Sequence, residues 1–355
     1  MRPLYQMPFM ASPARIEPAG NLGLWYEKFY DQWEGTAATA LQNPAPQKVG
    51  WIKQAVTHNA QLSHEHRALG EELVNRLLEL VRSSGGDFWV FETTTPFVTG
   101  LGQGHPIENG FAWHALLGAP YIPGTTLKGQ LKAWPQWSEE PATAFTEALE
   151  RLTILDSLPL LPVQLQGEVM TPHYTSYYQD GFPPGDYDNP VPIPFLTVGP
   201  GQAFLMAALG TQDDLQSIQD YWETSLEYMG VGAKTSSGFG RFRRNKSKEN
   251  ALRAPLEQAA RNVAQQKQLA HLLPWEREMW ADGYQEDAEK FMQRLGEKWL
   301  DRMDSAVMKE SDRVQIATRL RQWYLNNKPD QWRKPNKKNA EKISRIKKHL
   351  PADPV

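Results

Sequence analysis

From Gly230 to Phe242 the chain reads GVGAKTSSGFGRF, and its four glycines, at 230, 232, 238 and 240, restrict the fold more than any other stretch. Glycine takes positive φ without a steric penalty and lets a backbone pass close to its neighbours. N–H groups exposed in such a loop form a concave anion site. Lys234, Thr235, Ser236, Ser237 and Arg241 add cationic and hydroxyl donors of the kind that meet phosphates and 2′-hydroxyls. The GxxxxGK[ST] register of a Walker A loop is absent, and a strand is expected after the glycines where a nucleotide loop needs a helix. Neither a P-loop nor a dinucleotide fingerprint fits. Two readings stay open, an ordinary glycine-rich turn and a phosphate-contacting loop.

The segments around this loop fall into zones. Residues 1–86 have helical spacing: Leu24, Trp25, Tyr26, Phe29 and Trp33 make an aromatic stripe, and Glu71–Arg82 repeats apolar residues up to Ser83-Ser84-Gly85-Gly86. At Asp87 the pattern changes. Phe88–Thr95 is aromatic and β-branched and predicts a strand. Further strands are expected at Leu152–Asp156, Gln164–Met170, Ile193–Val198, Ala203–Leu209 and near Phe239–Arg243, with a helix over Asp213–Met229. Strand, helix, strands, helix, strand is the order of a split βαβ, ferredoxin-like unit. The expected class is α+β, with an RRM-like core at 87–248 and a loop-rich insertion at about 164–191. An N-terminal helical region at 1–86 and a C-terminal helical domain at 249–355 flank it. The latter rests on Trp275, Met279 and Trp280 after Pro274, on the face Phe291, Leu295, Trp299 and Met303, and on Ile343, Ile346 and Leu350 in a basic tail.

Charge is segregated along the chain. The net value is −3, yet Gly230–Lys248 holds six basic residues and no acid. Lys328–His349 holds nine Lys or Arg against Asp330 and Glu341. Such segments suit a chain that meets a polyanion on chosen faces, or a solvated surface. Zero cysteines exclude disulfide scaffolds and thiol nucleophiles and fit a reducing cytosol. No run approaches the apolar length of a membrane span and the first residues lack a secretory signal pattern, so no membrane association and a cytoplasmic setting are expected.

A second candidate element is Ala119–Ala133, where Pro123-Gly124 is a turn and Thr125 or Thr126 is a natural N-cap. Thr125, Thr126, Lys128 and free amides at a helix start favour phosphate. His58, His64 and His66 have no carboxylate spaced as in a zinc motif, so no metal or other cofactor is expected. His173, in MTPHYTSYY with Tyr174, Tyr177 and Tyr178, is a base-stacking, RNA-cleaving or structural histidine.

Gly100–Gly129 resembles the N-terminal motif of the RAMP superfamily of CRISPR-Cas proteins, and GVGAKTSSGFGRF resembles that superfamily's C-terminal glycine-rich loop. Glu108-Asn109-Gly110-Phe111, Met170–Tyr178 and Pro190–Val198 narrow the resemblance to the sixth subunit type of the type III-B Cmr effector complex. The resemblance covers about residues 87–243. It implies a subunit that binds CRISPR RNA without cutting it and caps the backbone filament near the 3′ end of the guide. The implied partners are other Cmr-type subunits and, indirectly, target RNA. The RNA-binding residues it implies are Thr125, Thr126, Lys128, Gly232, Lys234, Thr235, Ser236, Ser237, Gly238, Gly240 and Arg241, with His173. The alternative is a Cas6-like metal-independent ribonuclease that processes CRISPR RNA, using His173 or His114. Asp31 reads as helical surface and takes no catalytic role.

Overall fold

A computed structural model of the chain describes residues 20–30, 45–59, 63–105, 107, 109–138, 143–171, 177, 181, 183 and 192–351. Among the described residues three helices come first: α1 (Leu22–Lys28), α2 (Ala45–Asn59) and α3 (His64–Ser83). Asn21 caps α1 through the Leu24 amide, and Ser63 caps α3 through that of His66. Trp25 and Tyr26 are buried, and Trp25 stacks on Trp51 of α2 at 3.9 Å between ring centroids. The aromatic stripe is therefore core, although Leu24 faces outward and Trp33 lies outside the described residues.

The aromatic run after residue 86 forms β1 (Asp87–Thr93), in which Phe88, Trp89, Val90 and Phe91 are all buried. Consecutive buried residues mean that both faces of the strand are covered. The later elements are the short pair β2 (Trp113–His114) and β3 (Ala119–Pro120), then helices α4 (Gly124–Ser138) and α5 (Thr143–Arg151). Strands β4 (Thr153–Ile154), β5 (Leu158–Pro159), β6 (Leu165–Met170), β7 (Ile193–Val198) and β8 (Ala203–Leu209) follow. Helix α6 (Gln212–Tyr228) then leads through the glycine loop to β9 (Phe242–Arg244).

The main sheet runs β4-β8-β1-β9, all antiparallel, with β5 also on β8. β1 and β4 are thus parallel with β8 between them, and β8 and β9 are parallel with β1 between them. These are two split βαβ units, the ferredoxin-like arrangement that the order of elements predicts. Trp222 of α6 packs on Trp89 and Phe91, at 5.2 and 6.2 Å between ring centroids. β6 and β7 form a separate hairpin that flanks most of the 164–191 stretch. The final strand begins at Phe242 rather than Phe239, because the loop folds back on itself before it enters the sheet.

Two compact units divide the chain, at residues 1–253 and 254–355. Helix α7 (Lys246–Ala270) spans that boundary. The second unit is helical: α8 (Pro274–Ala281), α9 (Ala288–Arg294), a π-helical turn (Leu295–Trp299), α10 (Leu300–Asp304), α11 (Glu310–Asn327), α12 (Pro329–Arg333) and α13 (Lys337–Lys348). Its own core holds Phe291, Leu295, Trp299, Met303, Leu320, Trp323 and Ile346.

Candidate nucleic-acid interface

The glycine loop closes over the segment that follows β1. The Ala233 amide donates to the Val98 carbonyl at 2.9 Å, the Gly240 amide to Pro96 at 2.8 Å, and the Arg241 amide to Thr95 Oγ1 at 3.0 Å. Val231 and Gly240 are joined across the base of the loop at 2.9 Å. The glycines permit this proximity. A Cβ on Gly232 would stand 2.2 Å from the Val98 oxygen, and one on Gly240 would stand 2.0 Å from the Val231 oxygen.

At the tip, Thr235–Ser237 make one 3₁₀ turn, headed by Lys234 at φ 60°. Lys234 is the one non-glycine with positive φ among the described residues, a conformation that costs an ordinary side chain free energy. Ser237, Gly238 and Phe239 donate back into the turn. Among the described residues, none accepts from the amides of Lys234, Thr235 or Ser236, which leaves three donors together at the loop tip.

The side chains divide into braces and free groups. Lys234 Nζ donates to the Met170 sulfur of β6 and lies 5.3 Å from the Phe195 ring centroid of β7. The Arg241 guanidinium donates to the Thr235 carbonyl at 3.1 Å, and burial lowers its pKa from the ordinary arginine value. The basic run that holds no acid within itself finds acids elsewhere in the fold. Arg244 pairs with Glu249 at 2.8 Å and Glu223 at 3.6 Å, Lys248 with Glu92 at 2.7 Å, and Arg243 with Glu227 at 4.0 Å. Lys234, Arg241 and Lys246 are the cations of this run with no carboxylate partner among the described residues.

Helix α4 begins at the same end of the sheet, since it follows β1 while the glycine loop enters β9, which pairs antiparallel with β1. It starts at Gly124, one residue before the expected Thr125 or Thr126 cap. The Gly124 amide donates to Asp156 Oδ1 at 2.7 Å, so a carboxylate already occupies the positive end of this helix. Lys128 Nζ donates to the Leu152 carbonyl at 2.8 Å. Thr125 and Thr126 are exposed on the first turn. The motif is thus largely satisfied internally; Asp156, which follows β4, was separated from it in sequence by 32 positions.

His58, His66 and His114 have partners within the fold, whereas His64 is exposed. His66 Nε2 meets the Leu117 carbonyl and His58 lies edge-on to Trp25 at 5.4 Å. His114 lies edge-on to Tyr121 at 5.8 Å, and its Nδ1 accepts from the Leu117 amide at 3.3 Å. Burial lowers the pKa of His114 while Asp156 opposes that shift. Tyr121 is pushed up by burial and by the same carboxylate. His173, Tyr174, Tyr178, Asp180, Asp186 and Asp188 lie outside the described residues, as does Asp31. Among the described residues no group of three His, Cys, Asp or Glu side chains could hold a metal ion, and no helix is long and apolar enough to cross a membrane.

The split βαβ sheet ends its last crossover in the glycine loop, and residues 90–138, from β1 through α4, match the family model described as the RAMP superfamily. The chain is also similar to the CRISPR system Cmr subunit Cmr6 of Pyrococcus furiosus, 37% identical over 109 residues, 29% of this chain and 31% of the relative. The match thus spans less than a third of that relative's length. Two solved structures are similar. One is a chain of the cryo-EM structure of the type III-B Cmr-beta bound to cognate target RNA (18% identity, TM-score 0.46, 62% of this chain and 79% of that one). The other is the crystal structure of Cmr6 from Pyrococcus furiosus (24% identity, TM-score 0.30, 45% of this chain and 98% of that one). The motif resemblance agrees with these findings: this is a mixed α+β chain whose residues 90–138 match the RAMP superfamily model and which is similar to Cmr6.

Proposed function

We propose that this chain is a non-catalytic, CRISPR RNA-binding subunit of a type III-B Cmr-type ribonucleoprotein in antiviral defence, acting in the cytoplasm. It caps the filament near the 3′ end of the guide, beside other Cmr-type subunits, and meets target RNA only through that guide. The RAMP match and the similarity to Cmr6 support the assembly. The observation that carries RNA binding is the loop tip, where three unbonded amides sit beside Lys234 in a left-handed conformation. Such a nest reads phosphate and ribose irrespective of base. Ser236, Ser237 and Gly238 at the tip are exposed and complete the contact surface, while Gly232, Gly240 and Arg241 hold its shape. Lys128, Thr125 and Thr126 contribute from the α4 start, and His173 from the 164–191 stretch.

The test is Lys234→Gly, which keeps the left-handed backbone and deletes the cation. Single-stranded RNA affinity should fall and the slope of log K against log[salt] should shrink by about 0.7. An unchanged slope and affinity overturn the loop as the contact. His114 beside Tyr121 favours a second reading, the metal-independent ribonuclease. That reading requires discrete cleavage of repeat RNA in EDTA, lost in His114→Ala or His173→Ala; no cut by the wild-type chain eliminates it.

A further inference from the structure

The second unit carries basic charge that its own fold does not neutralise. At the C-terminal end of the last helix the acids of α10 hold two side chains: Arg345 donates to Asp301 at 2.7 Å and Asp304 at 2.8 Å, and His349 meets Asp304 at 2.7 Å. Lys347 lies over the Trp332 ring at 5.6 Å. The opposite end of α13 has no such partners. Lys328, Lys334, Lys337, Lys338 and Lys342 form no ion pair with a carboxylate among the described residues.

Three of these lysines, Lys328, Lys338 and Lys342, are brought together. Lys338 and Lys342 stand one turn apart on α13, so they share a face. Lys342 lies across the π-helical turn at Gly296, where an added Cβ would stand 2.9 Å from its Nζ. The Gln331 amide donates to the Lys328 carbonyl at 3.1 Å and the Gln331 side chain accepts from Asn339 of α13, which sets Lys328 beside the start of that helix. Burial and the charges of Lys338 and Lys328 lower the Lys342 pKa. The helix starts are fixed from within: Tyr324 donates to Asn339 Oδ1 at 3.3 Å, and Asn339 Nδ2 donates to Gln331 at 3.1 Å. A packed scaffold thus holds like charges together against their repulsion.

We propose that Lys328, Lys338 and Lys342 form a nucleic-acid contact of the C-terminal unit, binding the phosphodiester backbone independently of the glycine loop. Clustered cations in a fixed frame, one turn apart, suit successive phosphates. An acidic protein is the less fitting occupant, because protein interfaces rest on aromatic or aliphatic anchors. The exposed large hydrophobics of the described residues include none from 328 to 351.

The experiment uses the full chain and a fluorescein-labelled single-stranded RNA oligonucleotide, followed by anisotropy over a salt series. Lys328→Gln, Lys338→Gln and Lys342→Gln are combined, and a control combines Lys132→Gln, Lys267→Gln and Lys309→Gln. The first triple variant should lower the salt slope by about 2 and weaken binding about fiftyfold at ~0.15 M salt, while the control changes neither. Equal losses in the two variants, or none in the first, overturn the proposal. So does polyglutamate that competes as well as RNA, which would assign the face to an acidic protein. Lysine reductive methylation of the wild-type chain gives an answer that needs no variant to fold. RNA should protect Lys338 and Lys342, and absent protection overturns the contact. Lys234→Gly in the same assay separates the two sites, since loss there with none in the triple variant leaves the loop reading standing.

Discussion

At the scale of single residues, the glycine loop shows two different demands met by one amino acid. Gly240 has a positive φ and no room, since its Cβ position lies 2.0 Å from the Val231 oxygen. Gly238 has a positive φ of 87° and open space around it. Gly238→Ala should therefore cost about 1–2 kcal/mol from the left-handed conformation alone. Gly240→Ala should cost more, about 3 kcal/mol or above, because backbone must also move. Urea unfolding of the two variants checks the order; equal costs would mean that the close approach is relieved cheaply. The glycine spacing was legible in the sequence. The carboxylate on the Gly124 amide was not, because Asp156 comes from the segment after β4, two helices further along the chain.

At the scale of elements, α7 is tied to the sheet by one buried pair. Glu249, 3% exposed, accepts from Arg244 at 2.8 Å and 3.0 Å and from the Val90 amide at 3.3 Å, with Arg253 beside it. Burial pushes the Glu249 carboxyl up, but Arg244, the Val90 amide and Arg253 outweigh it and hold the pKa below its ordinary value. A depressed carboxylate stabilises the fold fully above its unfolded pKa, near ~4.3, and that stability is lost as pH falls through the folded value. Glu249→Ala should cost about 3 kcal/mol at pH 7, because it leaves the buried Arg244 with only the more distant Glu223, at 3.6 Å. For Glu249→Gln, the stability deficit should be largest at pH 7 and shrink below about pH 4; a deficit independent of pH would remove the charge from the account. The same pairing explains why the basic run looked acid-free along the chain. Its partners sit on α6, on β1 and one residue past the end of the run.

At the scale of the whole molecule, the described residues form two separate hydrophobic cores, one around Trp89, Phe91 and Trp222 and one around Phe291, Trp299 and Trp323. Two cores predict two unfolding transitions rather than one. Trp222→Ala and Trp299→Ala should each cost about 3–5 kcal/mol, and each should lower only one of the transitions in calorimetry. A single transition lowered by both would show that the units melt as one block. The helical period of the second unit was readable because its apolar faces repeat locally. The π-helical turn at Leu295–Trp299 was not, since one extra residue per turn leaves no mark in an apolar pattern that otherwise continues.

The sequence by itself determined the kind and order of the elements around the main sheet and the special backbone of the glycine loop, because propensity, periodicity and glycine content act over a few neighbouring residues. Tertiary structure alone decided which of the six cations between Gly230 and Lys248 remain without a carboxylate among the described residues, and that Lys234 reaches back to Met170 and Phe195. Charge interactions depend on distance in space. Pairs such as Glu92 with Lys248, 156 positions apart, form only once β1 and β9 lie side by side.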